Sequence, residues 1–330
     1  MPRALRYIES KQVYEICFRA KNSLPLIANS LINTILKGVI ARVQRDHKLE
    51  LCHDIWNGSH PHLIVVTKDA EQCTKFYGEI KKNITEAIKK LLGLEHLSLW
   101  EDRTSVIRLG NAEDVVERIS YLYANPAKDN LVDNIEEFPG LSSWKEFLGC
   151  ENTVNYKVSE DQYWNRLPTI PILNSPEISM TQSSGIKKLL KKRNQQSEIL
   201  FRTPNSWMKC FDIIDPKDVA AINEEIKEKV RAKELVVRQK RQAQNKSVLG
   251  VIKLEKQPLL KPHEPKKKER RIYIYTVDNE LRMSYIEQIK EFTNACRECY
   301  QRWRAGELNV DWQPGAFGPA LGPSYNVVAF

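Results

Sequence analysis

The first 150 residues alternate short β-prone runs with amphipathic helical ones, and one dipeptide ties the pattern down. Asn57-Gly58 separates LELCHDIW (49–56) from HPHLIVV (60–66). Both residues tolerate the positive φ of a tight turn, so the two runs are expected to pair as a hairpin. Ahead of them VYEICF (13–18) is rich in strand formers, and Leu31, Ile35 and Val39 recur every four residues, the spacing of one helical face. After them come a long, Lys-rich amphipathic helix over 69–92, a short strand over 105–109 and a helix over 111–125. The last of these opens on a capping residue with Glu113 and Asp114 in its first turn. It is expected to stop at Pro126, because the residue before a proline disfavours helical backbone. The order β, α, β, β, α, β, α predicts an α+β fold, an antiparallel sheet with helices on one face, of ferredoxin-like type.

Beyond Trp144 the periodicity weakens, and the proline-bearing stretch 154–176 is irregular. This divides the chain into a unit over 1–150, a linker over 151–185 and an extension over 186–330. In the extension 186–202 and 217–242 read as basic helices, 261–271 (KPHEPKKKERR) as an extended cationic stretch, 272–277 (IYIYTV) as a strand and 280–303 as a helix. Charge follows the same division. Residues 1–150 hold 20 Lys and Arg against 20 Asp and Glu, so the whole net charge of +9 lies in 151–330. A neutral unit beside a basic one suggests a polyanion gripped outside the chemical core.

An apolar content of 42% is enough for a sizeable core. No apolar run approaches the roughly 20 residues of a membrane span, and MPRALRYIESK lacks the apolar segment of a secretion signal. A cytoplasmic protein without a membrane partner is expected. Seven cysteines at irregular spacings do not form a disulfide framework, and the Cys296/Cys299 pair has no further Cys or His after it to complete a zinc site.

Chemistry concentrates at two places. His60 and His62 alternate along a strand and so project from one face, where two imidazoles can grip one divalent cation. Tyr121 and Asn125 are four apart on the helix before Pro126 and share a face there. A cation that draws charge from a phosphate would help a phenol, whose free pKa is about 10, to attack it. An amide oxygen such as that of Asn125 is a suitable hard ligand for Mg²⁺ or Mn²⁺. Tyr123 is the rival phenol, about 200° around the helix from Tyr121. On residues alone, two neighbouring histidines and a helical tyrosine are equally the ordinary contents of a core.

ISYLYANPAKDNLVDNIEEFPGLSSW (119–144) resembles the signature of the REP-associated tyrosine transposases, Tyr-Ile-x-x-Asn-Pro-Val-x-Ala-Gly-Leu-Val followed by an acidic EEYPWSS stretch. VYEICFRAKNSLPLI (13–27) is similar to that family's opening, LWEDRTSVIR (99–108) to its LWQRRFYDRVIR, and parts of the last 65 or so residues to the C-terminal extension of some members. The resemblance implies an HUH nuclease-type core that cuts and rejoins single-stranded DNA beside hairpins. Tyr121 would attack the scissile phosphate to give a 5′-phosphotyrosyl link and a free 3′-OH. His60, His62 and Asn125 would hold Mg²⁺ or Mn²⁺. The partner would be single-stranded or hairpin DNA at the nucleoid, with monomer and homodimer both open. The alternative is a catalytically inactive hairpin-binding descendant. Departures from the family pattern are Asn57-Gly58-Ser59 for its usual Met-Pro-Asn, Pro61 for an aliphatic residue, and Asp129-Asn130 for Ala-Gly.

Single-stranded DNA is held by cationic grooves and by aromatic faces on which bases stack. Arg19 and Lys21 at the end of the first strand, Trp100 with Arg103, and the helical cluster Lys187, Lys188, Lys191 and Lys192 are the candidate contacts.

Overall fold

A computed structural model describes residues 5–24, 30–150, 158–160, 200–257, 272–307 and 309–319. Its centre is a five-stranded sheet built from β1 (Gln12–Ala20), β2 (Glu50–Asn57), β3 (His60–Thr67), β4 (Trp100–Leu109) and β7 (Ile274–Tyr275), in the order β2-β3-β1-β4-β7. The first four strands pair antiparallel. A separate small ladder joins β5 (Val158–Glu160) to β6 (Leu200–Arg202).

Strand alternation sorts the side chains of β1 onto two faces. Tyr14, Ile16, Phe18 and Ala20 are buried with α1 (Ser30–His47) and α2 (Ala70–Leu91). α2 starts where Asp69 accepts the Gln72 N–H at 2.7 Å, and it places Cys73, Phe76, Ile80, Ile84 and Ile88 on one buried stripe. The opposite face carries Val13, Ile55 and Ile64 and is covered by α3 (Ala112–Lys128), which supplies Val115, Val116, Ile119 and Leu122. Helices thus cover both faces rather than the one expected, because the Val13 face is apolar as well and needs its own cover.

α3 opens with a capping box, in which Asn111 accepts from the Asp114 N–H at 2.8 Å and Asp114 accepts from the Asn111 N–H at 3.1 Å. It runs through Pro126 to Lys128, past the expected stop. The helix closes on paired bonds from Asn130 N–H to the Ala127 carbonyl and from Leu131 N–H to the Pro126 carbonyl, with Asn130 at φ 56°. An asparagine supplies the left-handed residue that this closure needs.

Four other boundaries shift. β4 begins at Trp100, ahead of the expected 105. The hairpin turn is Gly58-Ser59, one residue later than expected, with Gly58 at φ 61° and Asn57 already paired to His60. Residues 200–202 are strand, not the end of a helix, while 186–199 lie outside the described residues. β7 covers only 274–275 and joins β4 in parallel, which makes the sheet mixed. Gly110 permits that approach, since a Cβ there would lie 2.7 Å from Asp114 Oδ2 and 2.8 Å from the Thr276 side chain.

Residues after 200 contribute to both cores. Leu200 joins the α1/α2 side, while Trp207, Met208 and α5 (Pro216–Ala243), with Val219, Ile226 and Val230, pack with α3. The Arg202 side chain is fully buried and donates to Asp54 Oδ1 at 2.7 Å and to Glu146 Oε1 at 2.8 Å. The chain closes on α4 (Trp144–Leu148), α6 (Val251–Glu255) and α7 (Asn279–Arg304) around this frame.

Candidate functional site

Pro61 does not break β3. Its cross-strand partner Trp56 donates its own N–H outward to the Leu141 carbonyl at 2.8 Å. The Trp56–Pro61 pair therefore exchanges no ladder bond, and the missing proline N–H is not called on there. With the strand intact, His60 and His62 share the α3 face with Ile64, and their rings lie 4.9 Å apart between centroids.

His62 stands opposite Cys17 of β1 in register, and Glu15, two residues before Cys17, is on the same face. Glu15 is 1% exposed, and its carboxylate takes the Nδ1–H of His62 at 2.6 Å and a two-pronged grip from Arg118 at 2.6 and 2.8 Å. Burial alone would raise the Glu15 carboxyl; the Arg118 charge and the His62 hydrogen bond outweigh it and hold the group at about 2. An ionised Glu15 holds a proton on His62 Nδ1, so that in the neutral tautomer that this contact selects, the lone pair is on Nε2. That Nε2 atom is buried and has no hydrogen-bond partner. A carboxylate behind one nitrogen of an imidazole whose other nitrogen is free is the arrangement of a metal-binding histidine.

Arg118, Tyr121, Asn125 and Lys128 are spaced by three, four and three along α3 and line one stripe of it. The Arg118 guanidinium lies over the Tyr121 ring, 4.5 Å from its centroid. The Tyr121 ring lies 6.4 Å from that of His62, edge to face. Lys128 donates to the Tyr121 oxygen at 3.0 Å and sits 4.3 Å from the ring centroid. Asn125, one turn beyond Tyr121, is 3% exposed. At the helix end Asp129 Oδ2 accepts from Asn57 Nδ2 at 2.7 Å, which ties the hairpin that carries the histidines to the helix that carries the phenol.

Tyr123 is spent elsewhere. It is fully buried, its hydroxyl 2.8 Å from His53 Nδ1 and 2.9 Å from Ser143 Oγ, and burial holds its phenol well above the ordinary value. His53 beside it is pushed down to about 3 by burial, so it stays neutral.

The residues fit a divalent cation in two respects: a buried, partnerless imidazole nitrogen already backed by a carboxylate, and a nitrogen-and-amide donor set of the expected kind. Among the described residues no three His, Cys, Asp or Glu side chains form a metal-sized cluster, so any cation at His60 and His62 would need the Asn125 amide or the substrate to complete its shell.

The expected DNA contacts divide. Arg19 follows Glu15 and Cys17 along the same face of β1 and is part-exposed, and Arg103 is exposed. Lys21 spends its ammonium on Ser98 Oγ at 2.6 Å. Trp100 is a correction: it lies in the α1/α2 core at 8% exposure, packs edge-on to Phe18 at 4.9 Å and donates its indole N–H to the Lys81 carbonyl, so its face is not open to a base. Lys187, Lys188, Lys191 and Lys192 lie outside the described residues.

Glu15, Arg118 and Lys128 escape a motif-based reading. Glu15 had a signal, as a lone carboxylate inside the apolar run VYEICF. Arg118 and Lys128 had only their spacing from Tyr121.

No protein-family model and no curated protein matches the chain. Among solved structures, one similar chain is a REP-associated tyrosine transposase bound to a REP hairpin, 23% identical over 45% of this chain and 86% of that one, with a TM-score of 0.38. Another is a protein of Deinococcus radiodurans R1 assigned as a transposase, 16% identical over 38% of this chain and 97% of its own, with a TM-score of 0.27. Among the described residues no helix is long and apolar enough to cross a membrane.

Proposed function

We propose that the chain is a metal-dependent single-strand DNA endonuclease and strand transferase with a ferredoxin-like HUH-type core, acting beside hairpins through Tyr121. The observation that carries this reading is the juxtaposition of a part-exposed phenol with two strand-borne imidazoles, 6.4 Å from the His62 ring, where the buried His62 Nε2 has no hydrogen-bond partner. The sequence resemblance over 119–144 points to the same phenol, Tyr121, and the family resemblance supplies hairpin DNA as the substrate class.

In this reading His60, His62 and Asn125 hold the cation. When bound, it draws charge from the scissile phosphate and makes the phosphorus more electrophilic. The chain's own residues do the rest. Glu15 keeps the His62 ring turned and its proton on Nδ1. Arg118, fixed by Glu15, packs on the Tyr121 ring and restrains it. Tyr121 then attacks phosphorus, the 3′ oxygen leaves, and the retained phosphodiester energy allows a second 3′-OH to reverse the step without ATP.

The test is a labelled oligonucleotide with a hairpin and single-stranded flanks, incubated with Mg²⁺ or Mn²⁺ and resolved under denaturing conditions. A covalent adduct is expected, abolished by chelator and by His62→Ala. Hairpin affinity with no adduct under either cation would replace this reading with the non-catalytic one.

A further inference from the structure

We infer that Lys128 is a further catalytic residue, one that stabilises negative charge on the Tyr121 oxygen as it attacks and again as it departs; this rests on the nucleophilic role proposed for Tyr121. Of the two cations beside that ring, Arg118 has both prongs committed to Glu15. It meets the Tyr121 ring through its guanidinium carbon, 4.5 Å from the centroid. Among the described residues, the hydrogen bond to the phenol oxygen itself comes from Lys128, at 3.0 Å. No carboxylate among the described residues pairs with the Lys128 ammonium. A lysine in the last turn of a helix usually just answers the helix dipole from solvent. This one instead folds back across seven residues to the oxygen of the one part-exposed phenol on α3.

An ammonium has three donors and no acceptor, so it cannot take the phenol proton while charged. What it offers is a charge-assisted hydrogen bond that strengthens as the oxygen becomes anionic. In cleavage the Tyr121 Oη–P bond forms and the P–O3′ bond breaks. The phenol proton passes to water, and water supplies one to the departing 3′ oxygen, so nothing is consumed. In rejoining, the 3′-OH attacks and the Tyr121 oxygen is the leaving group, again facing Lys128. One residue thereby serves both directions, as a reversible strand transfer needs.

Lys128 is exposed, so Lys128→Met should fold. Three readouts test its role. Adduct formation on a hairpin oligonucleotide is expected to slow roughly 10- to 100-fold, the worth of a hydrogen bond to a charged group, while Lys128→Arg recovers most of the rate. The same slowing is expected on an oligonucleotide with sulfur at the bridging 3′ position, whose departure needs no proton. In the metal-free protein, O-acetylation of Tyr121 by N-acetylimidazole, followed by mass spectrometry, is expected to slow in Lys128→Met and recover in Lys128→Arg.

A wild-type adduct rate in Lys128→Met overturns the inference. So does a defect that vanishes on the sulfur substrate, which would move Lys128 to the leaving 3′ oxygen. A wild type that forms no adduct defeats the proposed function instead. Acetylation then still decides whether Lys128 activates the phenol, and equal rates in Lys128→Met and wild type would end the idea.

Discussion

The two faces of the sheet are built on different principles. Against α1 and α2 the core is hydrocarbon and aromatic: Phe18, Phe76, Ile80, Ile84 and their neighbours are buried, and Trp100 satisfies its indole on a backbone carbonyl. Against α3 an equally buried layer is threaded with ionised groups. Glu15 joins His62 to Arg118 there, while Arg202 joins Asp54 to Glu146 at the β2 edge of the sheet. Apolar packing is non-directional and tolerates exchange, whereas buried charges hold only when each partner is in place. The first face secures the fold; the second fixes where particular atoms sit.

Substitutions that separate geometry from stability would sharpen that contrast. Tyr121→Phe should carry the largest effect, a loss of adduct of at least about 10⁴-fold with stability changed by less than about 0.5 kcal/mol. Unaltered adduct in that variant would remove the nucleophile assignment. Next comes Arg202→Met, which leaves the buried Asp54 and the part-buried Glu146 unpaired and should cost about 3–5 kcal/mol in urea unfolding. A cost under about 1 kcal/mol would mean that this ion pair is not a determinant of the β2 edge. Glu15→Gln should slow adduct formation about 10- to 100-fold, because His62 loses its anchoring carboxylate. Ile80→Val on the apolar face should cost only about 0.5–1.5 kcal/mol and leave adduct formation per folded molecule unchanged. A matching drop in rate would break the proposed division of labour between the faces.

The smallest effect is a pH dependence. Glu234 on α5 accepts the Ile135 N–H at 2.7 Å, and burial raises its carboxyl to about 7 from the usual 4.5. The folded state therefore binds this proton more tightly than the unfolded chain does. That contribution to stability is complete at low pH, declines as pH rises from about 4.5 to 7, and is gone above. Glu234→Gln keeps an acceptor but has no proton to lose. Its Tm should match wild type in acid and exceed it by about 2–4 °C above neutrality. A constant difference across pH would count against this account of Glu234.

What was legible in the sequence was local. The spacing of Tyr121 and Asn125, the alternation of His60 and His62, and the capped start of α3 at Asn111 follow from periods of 3.6 and 2 within a few residues. The misread features depend on partners far along the chain. Pro61 stood out only as a departure from the family pattern, and it takes the outward N–H of Trp56 to show that its pairing with β2 gives up no bond. Trp100 looked like a stacking platform because its face of β4 depends on a register shift opposite Phe18 and Ala20. Glu15 and Arg118 meet across 103 residues, a distance no local period spans. The stop assigned to Pro126 failed because a proline near the end of a helix forfeits little when Asn130 supplies the closing turn.

The Arg202 pairing also bears on how the chain can be shortened. A protein cut after residue 150 would keep all the residues proposed to do chemistry, yet it would leave Asp54 and Glu146 without their cation and uncover the apolar flank of α3 where α5 lay. Such a fragment is expected to aggregate or need acid to stay compact. The smallest active version of this protein should reach at least through residue 243, the end of α5.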